Sequence, residues 1–345
     1  MHYLITGGAG FLGSHLGERL LASGDRVTVL DDLSFGRRRN LAAVEGHAAF
    51  RCEVGSVRDR RRVDALVREA DAVVHLAAVL GVERVSSRPL PSLLGNLEGS
   101  LAVLRAASRH GRPLMLASSS EVYGAAAAAA CEDDAVRLGA TTDPRWGYAC
   151  AKAMDEWLAF AYAAERRLPV RVVRFFNVAG PRQRAERGAV VPRFVRQALR
   201  ALPLTVHGDG QQTRSFCHVR DAVEALSRLL RTDAAVGQVV NVGSDAEVTI
   251  LHLAETVRML VGVDVPIAFV PRREALGRIA DVARRVPDLR KLRELTGFLP
   301  STPLAAIVGD VVAAMRRRPR VTLAGDSRQP PHPSTPWTVP GALPS

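Results

Sequence analysis

Gly7-Gly8-Ala9-Gly10-Phe11-Leu12-Gly13 is the stretch on which the reading of this chain turns. It follows a short apolar run, His2 to Thr6, and opens an amphipathic helical pattern from Phe11 to Ser23, after which Arg26 to Leu30 alternates as a second strand. Gly7, Gly10 and Gly13 have the GxxGxxG spacing at the start of that helix. A pyrophosphate rests against backbone amides at a helix N-terminus, where a side chain on the turn would hold it away, and the last glycine lets helix and strand close up. Asp31 ends the second strand 18 residues past Gly13. A carboxylate there accepts hydrogen bonds from the adenosine ribose hydroxyls and repels a 2′-phosphate, so the unit predicts a dinucleotide site that prefers NAD, with Arg37, Arg38 and Arg39 nearby as possible hosts for a phosphate.

Further strand patterns recur at Ala48 to Glu53, Ala72 to His75, Leu114 to Ser118, Val170 to Phe175 and Gln238 to Val242. Helical stretches such as Val57 to Glu69 and Leu90 to His110 separate them. Such alternation predicts an α/β fold, a Rossmann-type doubly wound parallel sheet covered by helices on both faces. Beyond Asn177 the rhythm loosens into an interrupted loop, a helix from about Val191 to Ala201, a strand near Leu204 and a helix from Val219 to Leu230. We therefore expect a nucleotide-binding domain over residues 1–178 with a strand returning near 237–243, and a smaller interleaved substrate domain over 179–236 and 244–318. The run Ala125 to Ala130 reads as an inserted surface loop, and the Pro-rich 319–345 as a disordered tail.

With 47% hydrophobic and 24% charged residues in 345 positions, the composition is that of a globular protein rather than a disordered one. No stretch has the roughly 18 uninterrupted apolar residues of a membrane span, and the chain runs from Met1 straight into a strand pattern without a basic leader, so a cytoplasmic protein with no membrane partner is expected. Cys52, Cys131, Cys150 and Cys217 lie far apart without a CxxC pair, which points to free or buried thiols and to no metal site. The formal net charge is +12, yet the basic residues are scattered, as solvated faces are, and no nucleic acid is expected as a partner. Of the 47 basic residues only Lys152 and Lys291 are lysines. A lysine in a chosen place therefore has a purpose that arginine does not serve.

Lys152 closes the run Tyr148-Ala149-Cys150-Ala151-Lys152 at the head of an apolar helix extending to about Arg166. Four residues apart, the two side chains share one helix face. An ammonium beside a phenol, together with a cofactor's positive charge, is expected to draw the tyrosine down from about 10 toward neutrality and make Tyr148 a general base, while Lys152 also holds the nicotinamide ribose. Ser118-Ser119-Ser120-Glu121 ends the strand from Leu114, at the carboxyl edge of the sheet where open α/β proteins bind ligands.

Taken together, ITGGAGFLGSHL (5–16), HLAA (75–78), SSSEVYG (118–124), YACAK (148–152), RFFNVAGPRQ (174–183) and HGDGQQTRSF (207–216) resemble the extended short-chain dehydrogenase/reductases that act on nucleotide-sugars as epimerases, dehydratases and decarboxylases. The resemblance covers about residues 1–315. It implies that NAD is held by Gly7, Gly10, Phe11, Leu12, Gly13, Asp31, Val57, Leu76 and Lys152. It also implies that Tyr148 and Ser119 handle the proton of the sugar 4-hydroxyl while NAD takes the hydride from C4. Asn177, Arg214 and Arg285 are implied as contacts to the nucleotide-sugar, the arginines facing its diphosphate, and a homodimer as the assembly.

Sugar 4,6-dehydratases carry an Asp-Glu pair after the Ser/Thr, whereas here Ser120 precedes Glu121. The Ser-Glu-Val-Tyr-Gly run and the Gln-Thr-Arg segment are most similar to UDP-glucuronate decarboxylases, which implies Glu121 and Arg214 as the groups that position the sugar carboxylate and the proton. Ser119 stands where those enzymes usually carry threonine, and Ser56 where an acidic residue commonly meets the adenine. The expected product is UDP-xylose or its 4-keto precursor, with UDP-sugar 4-epimerisation as the alternative. A non-catalytic NAD-binding or nucleic-acid-binding protein is the distant one.

Overall fold

Strand β1 (His2–Thr6) sends successive side chains to opposite faces of a sheet, and both faces are buried: Tyr3 and Ile5 pack into one core, Leu4 into another. The same alternation runs through β2 (Arg26–Asp31), β3 (Phe50–Val54), β4 (Ala72–His75), β5 (Leu114–Ser119), β6 (Val170–Phe175) and a later strand, β11 (Val239–Val242). These seven form one sheet in the order β11-β6-β5-β4-β1-β2-β3, every neighbouring pair parallel. The computed structural model describes residues 1–79, 89–124, 129–143, 145–185, 188–271 and 284–317. The Pro-rich tail and Ala125 to Ala128 of the alanine run lie outside the described residues.

Helix α1 (Phe11–Ala22) lies on one face with α6 (Val219–Arg231) and α8 (Arg290–Thr296). On the other face lie α2 (Arg60–Glu69), α3 (Pro89–Arg109) and α4 (Arg145–Arg166). Order reverses about β1, whose neighbours are β2 and β4, and the crevice at the carboxyl ends of such a sheet is where ligands bind. This is the doubly wound architecture expected from the strand spacing.

Between β6 and β11 the chain leaves the sheet through β7 (Val178–Ala179), α5 (Val190–Ala198), β8 (Leu204–His207), β9 (Thr213–Ser215), β10 (Cys217–His218) and α6. After β11 come β12 (Glu247–Thr249), α7 (Ile250–Val261), β13 (Ile267–Val270), β14 (Arg284–Arg285), α8 and α9 (Leu304–Arg316). A separate core of Phe194, Val195, Leu204, Leu253, Val257 and Ile307 joins α5, α7 and α9. A small sheet, β12-β9-β14, stands beside it.

Candidate active site

The glycine turn is built as a cradle. Gly7 has φ +69°, a region open to glycine, and a Cβ there would come within 2.8 Å of the Ala77 backbone. A Cβ on Gly13 would stand 2.5 Å from the Gly7 carbonyl oxygen and 2.6 Å from Gly8 Cα, so the third glycine lets α1 close on the turn itself. Gly10 caps α1 without a side-chain hydrogen bond, and the first turn holds no acidic residue, so the amides that follow, from Phe11 and Leu12 onward, offer an anion site.

Asp31 ends β2 and is 6% exposed. Its Oδ2 accepts from the Ala9 amide at 2.9 Å and its Oδ1 from Leu33 at 2.8 Å, which fixes the carboxylate against the cradle with lone pairs left for a ribose. Burial raises its pKa from the ordinary carboxylate value, and those two amides oppose the shift. Leu76 follows β4 and donates its amide to the Thr6 carbonyl at 3.1 Å. Val57 packs against α3, where a Cβ on Gly99 would stand 2.8 Å from its Cγ2. A turn that a side chain would fill, bare helix amides and a fixed carboxylate fit a dinucleotide.

Ser119 ends β5 and accepts from the Glu121 amide at 3.2 Å, starting the 3-10 turn Ser120–Tyr123. Across from it, α4 turns Ala149, Lys152, Ala153, Glu156 and Ala159 inward at helical spacing. Tyr148 is partly buried and shares a side-chain hydrogen bond with Ser119. Lys152, 3% exposed, donates from Nζ to the Ala117 carbonyl at 3.0 Å and to Asp155 Oδ2 at 3.1 Å.

Here the structure corrects an expectation. The Tyr148 phenol is pushed well above its ordinary value, not toward neutrality. Burial is the main cause, with the carboxylates of Glu121 and Asp155 adding to it and the Ser119 hydrogen bond opposing. The protein's own groups favour the protonated phenol.

The Glu121 carboxylate is gripped at both oxygens by Arg285, whose Nη2 lies 3.2 Å from Oε2. Arg285 sits on β14 directly beside Arg214 of β9, the two being register partners in a parallel pair. The guanidinium seen on Glu121 is that of Arg285. Arg214 donates to the Thr213 carbonyl at 2.7 Å. Asn177, at φ 33°, donates its side-chain amide to the Ser215 carbonyl at 3.0 Å, which ties the loop after β6 to the end of β9.

Two partners escaped the sequence reading. Asp155 is fully buried one helical turn past Lys152, and the i,i+3 spacing was the available signal. His75, 2% exposed, shares hydrogen bonds with Thr6 at 2.7 Å and Ser100 at 3.2 Å; burial and Lys152 lower it to about 3, so it is neutral. Only the fold brings its partners together.

A doubly wound sheet with a glycine cradle at its reversal point and a Ser, Tyr and Lys cluster at its carboxyl edge defines an NAD-dependent α/β enzyme. Residues 3–243 match the NAD dependent epimerase/dehydratase family, and the chain belongs to it. It is 37% identical to the UDP-N-acetyl-alpha-D-glucosaminuronate decarboxylase of Bacillus cytotoxicus over 86% of this chain and 92% of that protein. To the UDP-glucuronic acid decarboxylase 1 of Xenopus tropicalis it is 37% identical over 87% of this chain and 69% of the relative. Among solved structures, the UDP-glucuronic acid 4-epimerase of Bacillus cereus, in complex with UDP-glucuronic acid and NAD, superposes with a TM-score of 0.82 at 26% identity, covering 92% of this chain and 99% of that one.

Proposed function

We propose that this enzyme decarboxylates a UDP-linked uronic sugar, UDP-glucuronate first among them, through a 4-keto intermediate to UDP-xylose or the 4-keto pentose. The observation that carries the reading is the turn after β5, where Ser119 meets Tyr148 and the only carboxylate, Glu121, is clasped by Arg285. Ser120 is buried at 3% exposure and carries no carboxyl, so a paired-carboxylate dehydration at C5 and C6 lacks its second acid. The decarboxylase relatives point the same way.

Bound NAD supplies the hydride acceptor, and later the donor, at the sugar C4. Tyr148 takes the 4-hydroxyl proton as phenolate, with Ser119 sharing that hydrogen bond. The Lys152 ammonium keeps a third N–H for the ribose beside the nicotinamide. Once C4 is a ketone, the C5 carboxylate belongs to a β-keto acid: the C5–C6 bond breaks, CO2 leaves, and the electron pair is held as the enolate until C5 is reprotonated. Arg285 and Arg214, side by side on the small sheet, offer cationic groups to the diphosphate and the carboxylate, and Glu121 helps position the proton. Asn177 contacts the nucleotide-sugar. Phe11 and Leu12 amides, Asp31, Val57 and Leu76 line the NAD site.

Incubation with UDP-glucuronate and with its 2-acetamido counterpart, followed by mass spectrometry, tests the reading: a product lighter by CO2 is expected. A C4 epimer of unchanged mass would instead establish 4-epimerisation, the reading favoured by the likeness to the Bacillus cereus epimerase.

We also propose a homodimer through α3 and α4, which leave Leu90 at 66%, Leu94 at 43%, Met154 at 40% and Trp157 at 57% exposure. The lobe formed by the segments on either side of β11 is assigned to the substrate. The four free cysteines suit the reducing cytoplasm.

A further inference from the structure

Asp155 is the most conspicuous group the reaction does not use. It is 0% exposed, on the inner face of α4, three residues beyond Lys152. One carboxylate oxygen accepts a hydrogen bond from Nζ; the other is buried with no hydrogen-bond partner among the described residues. Burying a carboxylate so poorly satisfied is unfavourable, and an ion pair of this kind is a weak source of stability. Its effect is positional and electrostatic.

The charges around the Tyr148 phenol nearly balance. From α4, Asp155 faces Lys152; from the turn after β5, Glu121 faces Arg285 of β14; Glu156 of α4 is paired with Arg174 of β6 at 2.7 Å. His75 of β4 is neutral, and β5 contributes the Ser119 hydroxyl and the Ala117 carbonyl. Arg214 of β9, beside Arg285, adds a cation on the side of the substrate's anionic groups, and oxidised nicotinamide would bring a further positive charge to the phenol.

We propose that Asp155 is a positioning residue that holds the Lys152 ammonium on the Ala117 carbonyl and offsets its charge, so that the cationic cofactor, rather than the lysine alone, releases the Tyr148 proton. Base activation is thereby tied to the oxidised state of the cofactor. The inference rests on Tyr148 being the base.

The test is a pH titration of tyrosinate absorbance in the NAD-saturated enzyme, with Tyr148→Phe subtracted to isolate the one phenol. In Asp155→Asn the Tyr148 midpoint is expected to fall by about one pH unit, roughly tenfold more phenolate at fixed pH, and the rising limb of kcat against pH moves with it. In the wild-type protein the midpoint is expected to lie higher with the reduced cofactor than with the oxidised one, a comparison that needs no Asp155 variant. A midpoint unchanged in folded Asp155→Asn, or equal with both redox forms in wild type, overturns the inference. A fall in turnover without movement of the midpoint also overturns it, leaving Asp155 a packing residue. Retained turnover in Tyr148→Phe would instead sink the assignment of the base, whatever Asp155 does.

Discussion

Glu121 and Arg285 stand 164 positions apart, yet they form a two-point ion pair with side chains only 19% and 9% exposed. The pair joins the turn after β5 to the small sheet that carries Arg214. Removing the arginine strands a half-buried carboxylate. Arg285→Met is expected to cost about 2 kcal/mol and to abolish CO2 release. Adding Glu121→Gln should restore most of the stability and none of the activity, as read by urea denaturation and product analysis.

Tyr148→Phe keeps the ring and removes the proton acceptor. Turnover is expected to fall about 10³-fold with NAD affinity unchanged. Since burial, Glu121 and Asp155 hold the phenol above its ordinary value, the phenolate fraction grows with pH. The kcat of the wild type should therefore climb from neutral into alkaline solution, and the residual activity of the variant should lose that slope.

Gly13→Ala would drive a Cβ to 2.5 Å from the Gly7 carbonyl oxygen, and backbone must move to receive it. Calorimetric NAD affinity should drop at least about tenfold, by analogy with the loss of one good anion contact. Gly17→Ala is the control: its Cβ would meet only Val27 and Ile5 side chains at 3.8 and 4.0 Å, and the variant should bind NAD normally and be stabilised by about 0.5 kcal/mol.

His75 binds its proton near pH 3 in the fold and near 6.5 when unfolded. The unfolded chain thus takes up the extra proton, so the contribution is fully present above about pH 6.5 and is lost as pH falls. Stability from this group should decline by about 1.4 kcal/mol per pH unit below that point. His75→Gln, able to serve both Thr6 and Ser100, should flatten that part of the curve in thermal melts taken from pH 7 to about 5.

Charges on the exposed α3 and α4 faces test the assembly. Leu94→Asp with Trp157→Asp is expected to yield a folded monomer in sedimentation, and the wild type a dimer.

The fold was legible because period-2 apolar runs and one glycine turn encode a parallel sheet locally, down to the return of Val239–Val242. Tyr148 and Lys152 were legible for the same reason: both lie on one helix. What stayed hidden depends on contacts between distant segments. Nothing near Glu121 foretells Arg285, and the small sheet that aligns Arg285 with Arg214 is made of strands of two and three residues, too short to leave a periodic trace. The raised phenol was missed because its cause is desolvation, which no spacing reports.

The place of β11 at the rim of the large sheet has a consequence for biosynthesis. Until Val239–Val242 emerges from the ribosome, β6 presents an uncovered row of amides and carbonyls, a surface on which a nascent chain can pair wrongly with another. A nonsense mutation just upstream of that strand should therefore yield aggregates rather than a smaller soluble protein.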